Sequence, residues 1–142
     1  SSNLKLACHR LSDHHIQPVF EMINSTDMPR FLVQNIAQAQ EMLEAVQHPA
    51  LKMQYDCYHM AMMGEDVLEA LKENIHDIGH IQFADCPGRH EPDTAQIHFA
   101  EIFQWLNQSA YSGYIAAEYR PQAHSSHSFA WKDKYFAKHP QS

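Results

Sequence analysis

A chain of 142 residues, 44% of them hydrophobic, is long enough to bury one core, so a single domain over 1–142 is expected. A formal charge of −7 leaves no basic stripe to follow a phosphate backbone, which argues against nucleic acid as a partner. No apolar run approaches the ~20 residues of a membrane span and the opening is unlike a signal peptide, so no membrane partner and a cytoplasmic location are expected, while Cys8, Cys57 and Cys86 are too scattered for a disulfide or a thiolate zinc site.

Along the chain, Asn3 to Leu11 is helix-like, and His15 to Ile23 is an apolar run rich in β-formers that predicts a buried strand. After the polar Asn24-Ser25-Thr26-Asp27, Pro29 is placed to start a helix whose apolar face runs through Leu32, Ile36, Ala39, Leu43 and Val46. His48-Pro49 ends it, and Leu51 to Tyr58 predicts the next strand. Val67, Leu68, Leu71, Ile75 and Ile78 mark a helical face closed by Gly79, and His80 to Ala84 follows as a short strand. The loop from Asp85 to Gln96 carries two prolines; Phe99, Ile102, Phe103 and Leu106 mark a further helix, and Gly113 to Tyr119 is the last strand. Beyond it, Phe129, Trp131, Tyr135 and Phe136 suit a terminal capping helix, and His14, His15, His124 and His127 sit among polar residues as solvated surface. Alternating β and α elements with continuous apolar strands predict an α/β fold with four parallel strands, and four strands cannot close a barrel that normally needs eight and ~250 residues. Either further strands or a second copy would have to complete it.

In parallel α/β architectures ligands gather at the C-terminal ends of the strands. Each predicted strand supplies one polar side chain there: Glu21, Asp56, Gln82 and Glu118. One carboxylate at a strand end is ordinarily a cap or a surface ion pair, but three carboxylates and an amide in register call for a cation to neutralise them. An all-oxygen set suits Mg²⁺ or Mn²⁺ rather than zinc. His59, three residues past Asp56, and Arg89, in the loop leaving the third strand, stand close by; either suits a substrate oxygen or carboxylate, and either could be an ordinary loop residue.

The strings Glu21-Met22-Ile23-Asn24 with Asp27-Met28-Pro29, Gln54-Tyr55-Asp56-Cys57-Tyr58-His59-Met60, Gly79-His80-Ile81-Gln82-Phe83-Ala84-Asp85 with Pro87-Gly88-Arg89-His90-Glu91-Pro92, and Glu118-Tyr119-Arg120-Pro121 resemble the hydroxypyruvate isomerase family of xylose-isomerase-like (β/α)₈ barrels. The likeness runs from about Leu6 to Phe136 and corresponds to the C-terminal half of such a barrel, about strands 5–8. It implies that Glu21, Asp56, Gln82 and Glu118 are metal ligands, that Glu21 and Glu118 are also the acid/base pair, and that His59 and Arg89 contact substrate. Two departures stand out. The family usually has glycine where this chain has Arg30, and its Glu-Pro-Gly-Thr-Gly-Glu loop is here Glu91-Pro92-Asp93-Thr94-Ala95-Gln96.

The activity so implied is a metal-dependent isomerisation of hydroxypyruvate and tartronate semialdehyde, or a related short hydroxy-carbonyl acid, through an enediolate, without an organic cofactor. Which glutamate is base and which is acid stays open. A sugar or sugar-acid epimerase and a non-catalytic half-barrel are the alternatives, and open sheet edges lead to an expectation of self-association or of a missing N-terminal half.

Overall fold

The computed structural model describes residues 2–136; residue 1 and residues 137–142 of the expected domain lie outside the described residues. The elements in chain order are α1 (Ser2–Ser12), β1 (Val19–Glu21), α2 (Ile36–Val46), β2 (Lys52–Asp56), α3 (Cys57–Met62), α4 (Val67–Asn74), β3 (Ile78–Phe83), α5 (Phe99–Gln108), β4 (Tyr114–Ala117) and α6 (Ala130–Phe136). The four strands form one all-parallel sheet in the order β1-β2-β3-β4, the expected α/β arrangement. Among the described residues no helix is long and apolar enough to cross a membrane.

Local signals explain most boundaries. The side chain of Asn35 accepts the Gln38 N–H and starts α2, which ends at Gln47 with its backbone in the left-handed region at φ 50°. Pro29 therefore does not begin the helix: Arg30 has φ 68°, a conformation that cannot propagate one, and Leu32 is 78% exposed. β1 is shorter than the apolar run suggested, because His15 turns the chain at φ 58°. β2 stops at Asp56 rather than Tyr58, since the Asp56 carboxylate accepts the Tyr58 N–H and caps the short helix α3, an element the sequence reading did not separate from the strand.

Gly79 does not terminate a helix; it lies inside β3 as a bulge. Met53 pairs with Ile78 and Gln54 with His80, so Gly79 has no partner on β2. A Cβ there would sit 2.8 Å from the Cβ of Lys52, so the close approach requires glycine. The bulge resets the alternation of β3, so that Ile78 and Ile81 are both buried.

One face of the sheet carries the core. Met53, Tyr55, Ile81 and Phe83 pack under Ala39, Leu71, Phe99, Ile102 and Phe103 from the helices. Phe83 touches the rings of Phe99, Phe103 and Trp131 with centroids 5.2 to 5.7 Å apart, so α6 caps this end of the core as its aromatic run suggested. The other face carries Val19, Gln54, His80 and Tyr114, with Tyr114 85% exposed. Parallel sheets are ordinarily covered on both sides, and among the described residues this one is covered on one. Cys8, Cys57 and Cys86 are buried free thiols, and His14, His15, His124 and His127 are exposed.

Candidate functional site

Pairing register determines which side chains meet on the uncovered face. Glu21 pairs with Gln54, Asp56 with Gln82, and Gln82 with Ala116, two residues before Glu118. Partners across a sheet and residues two apart along a strand share a face, so Glu21, Gln54, Asp56, Gln82 and Glu118 line one side at the C-terminal ends of the strands. Glu21 and Asp56 are the last residues of β1 and β2, Gln82 is next to last in β3, and Glu118 lies just past β4, where its N–H donates to the Phe83 carbonyl.

Helix α3 turns His59 back over this row. Its Nε2 lies 3.9 Å from Glu21 Oε1 and 3.8 Å from Asp56 Oδ2. Glu21, Asp56 and His59 each place one donor atom within 4.8 Å of the others. Glu118 is outside that cluster and is joined to it through Arg89, whose Nη2 donates to Glu118 Oε2 at 2.8 Å and to Asp56 Oδ2 at 3.3 Å. The guanidinium also lies 5.0 Å from the centre of the Tyr58 ring. Gln82 is engaged by Gln54, whose Nε2 donates to Gln82 Oε1.

Burial sets the electrostatics. The Asp56 carboxyl is pushed up to about 6 by desolvation, against the pull of the Tyr58 N–H and Arg89 and with the help of the like charges of Glu21 and Glu118. Glu21 is raised chiefly by desolvation, with Gln54 opposing and Glu118 adding to the rise. His59 is lowered, first by burial and then by Arg89, which keeps the ring neutral at pH 7. Glu21 Oε1 is buried without a hydrogen-bond partner among the described residues. An oxygen left in that condition beside a second buried carboxylate fits a hard divalent cation, as does a donor set of two carboxylates with further side-chain oxygens on the same face.

Three polar residues here were not singled out from the sequence. Gln54 was detectable by alternation, since it sits two residues before Asp56. Asn24 is fully buried and contacts His59 from the loop after β1. Asp85 is also fully buried: its Oδ1 accepts the N–H groups of Cys86 and Ile97, and its Oδ2 those of Thr94 and Ala95. That carboxylate pins both ends of the loop bearing Arg89. The glycine departures also become concrete, because Arg30 has φ 68° and Asp93 φ 72°. The chain keeps a left-handed backbone at both positions with side chains that tolerate it less well than glycine.

With this geometry established, the relatives are informative. Residues 1–135 match the family described as xylose isomerase-like TIM barrel. The chain belongs to that family. It is 35% identical over 136 residues to a 2-oxo-tetronate isomerase of Cupriavidus necator, covering 96% of this chain and 52% of the relative. It is 35% identical over 133 residues to the hydroxypyruvate isomerase of Escherichia coli, covering 94% of this chain and 52% of that protein. Among solved structures, a family 2 AP endonuclease from Brucella melitensis superposes with a TM-score of 0.89 at 28% identity, over 94% of this chain and 52% of that one. The chain thus spans about half the length of the curated relatives it matches.

Proposed function

We propose that this chain carries the metal-binding and acid/base half of an isomerase acting on a short hydroxy-carbonyl acid, with hydroxypyruvate and tartronate semialdehyde as the reference pair. The observation that carries this reading is the row of oxygen donors on the sheet face away from the helices, Glu21, Asp56, Gln82 and Glu118, with Glu21 Oε1 buried and unpartnered among the described residues. A bound Mg²⁺ or Mn²⁺ would neutralise the carboxylates and polarise a substrate carbonyl. Glu21, raised by burial, and Glu118, more exposed, are the two groups able to move protons on neighbouring carbons: one removes a proton beside the carbonyl and the other serves the adjacent carbon. Arg89, already held on carboxylates, is the group to take the carboxylate of the substrate. His59 Nε2 faces the same space and is suited to a substrate oxygen. No step requires an organic cofactor.

The acidic balance of the chain favours a small substrate over a nucleic acid. The open edges of β1 and β4, with one sheet face uncovered, support completion by further strands or by a second copy. The test is a Mn²⁺ titration of the purified chain beside Glu118→Gln, followed by an assay with hydroxypyruvate and analysis of the product. Saturable Mn²⁺ binding weakened in the variant, with tartronate semialdehyde formed by the unaltered protein, is the expected result. An unaltered turnover in Glu118→Gln would overturn the acid/base assignment, and failure to convert hydroxypyruvate together with conversion of a chiral keto sugar to a product differing only in configuration would identify an epimerase.

A further inference from the structure

His59 touches the carboxylate cluster closely enough to be mistaken for a fifth ligand. Whether it can be one depends on which ring nitrogen carries the proton, and the loop after β1 settles that. Asn24 Oδ1 accepts two backbone N–H groups, from Thr26 at 3.1 Å and Asp27 at 2.8 Å. The amide orientation is therefore fixed, because the reverse would point its NH₂ at two donors. Asn24 Nδ2 then faces Asp27 Oδ2 at 3.0 Å and His59 Nδ1 at 2.6 Å. The Asp27 carboxylate is itself held by the Tyr58 hydroxyl at 2.9 Å, so it can only accept from Asn24. The Asn24 backbone N–H also points at His59 Nδ1, at 3.5 Å. Both hydrogen-bonding groups that Nδ1 meets are donors, so Nδ1 must accept, and a neutral ring holds its proton on Nε2.

We infer that Asn24 is a positioning residue that fixes His59 as an Nε2–H donor aimed between Glu21 and Asp56, so that His59 serves a substrate oxygen and not the metal. This rests on the isomerase reading for its function, while the tautomer itself stands apart from it. A bare Nε2 would add a nitrogen ligand to a site built of oxygens; a protonated Nε2 offers instead one N–H to a carbonyl or alkoxide oxygen of the substrate.

The test inverts the polarity of the side-chain hydrogen bonds: the Tyr58 hydroxyl comes to accept from residue 27, and the weaker 3.5 Å contact of the Asn24 backbone N–H with Nδ1 is given up. Replacing Asn24→Asp together with Asp27→Asn leaves the backbone N–H groups an oxygen to reach, lets the new amide at 27 donate to the new carboxylate at 24, and turns the contact with Nδ1 into an acceptor. Long-range ¹H–¹⁵N spectra of the metal-free, histidine-labelled protein are expected to show His59 protonated on Nε2 in the unaltered chain and on Nδ1 in the double variant. With the tautomer reversed, the affinity for hydroxypyruvate should fall about tenfold, the worth of one hydrogen bond, while Mn²⁺ binding holds or strengthens as Nε2 becomes available. An Nδ1–H signal in the unaltered chain would overturn the inference, as would a double variant whose tautomer reverses without loss of hydroxypyruvate affinity. An Nε2–H signal in a protein that converts no hydroxypyruvate would leave the tautomer in place and count against the isomerase reading alone. Retention of the circular dichroism spectrum and unfolding midpoint by the double variant separates these outcomes from misfolding.

Discussion

The two faces of the sheet follow different rules. On the helix side, Met53, Tyr55, Ile81 and Phe83 are no more than 2% exposed, and what matters is volume and shape. On the other side, Glu21, Asp56 and His59 are held close together at a cost in desolvation, and what matters is charge and hydrogen-bond direction. Since alternate residues of the same strands supply both faces, stability and chemistry are interleaved along the sequence but separable by mutation.

That separation can be broken from either side. The largest effect is expected on the covered face: Phe83→Ala removes a ring packed against three others and should cost about 4 kcal/mol in denaturant unfolding, whereas Tyr114→Ala on the open face should change stability by no more than about 0.5 kcal/mol. Asp56→Asn should leave the fold intact, since the amide can still accept the Tyr58 N–H, yet weaken Mn²⁺ binding by about 100-fold or more in calorimetry.

Acid sharpens the same contrast. Asp56 rises from its ordinary 3.8 to about 6 in the fold, so between these values the folded chain keeps a proton that the unfolded chain releases. The stabilisation this gives the metal-free fold is complete below 3.8 and is lost as the pH climbs through about 6. Cation binding has the opposite dependence: Mn²⁺ affinity should fall about tenfold per pH unit below 6 and level off above it, as read from titrations at successive pH values. A modest gain is expected away from both faces. Arg30→Gly should relieve the left-handed backbone and raise stability by up to about 1 kcal/mol, seen as a higher midpoint of thermal unfolding.

Periodicity and strand-end polarity made much of this arrangement legible in advance. The parallel order of β1 to β4 follows from alternating apolar runs, and the shared face of Glu21, Asp56, Gln82 and Glu118 follows from their place at the strand ends. What was not legible depended on contacts between distant segments. Pro29 looks like a helix start until Asn35 proves the better cap, and Gly79 looks like a helix stop until the approach of Lys52 explains it. α3 was hidden because Asp56 ends a strand and caps a helix at once. Asn24 reads locally as a turn residue, and its contact with His59, 35 residues away, carried no signal in the sequence.

Trp131 lies against Phe83 on the covered face and donates its indole N–H to the hydroxyl of Tyr119 at 3.1 Å, and Tyr119 directly follows Glu118 in the chain. The other tryptophan, Trp105, is on α5 at the edge of the core. The protein thereby contains its own optical reporter: a change in the strand end that carries Glu118 reaches an indole through one side chain, where emission registers it without a label.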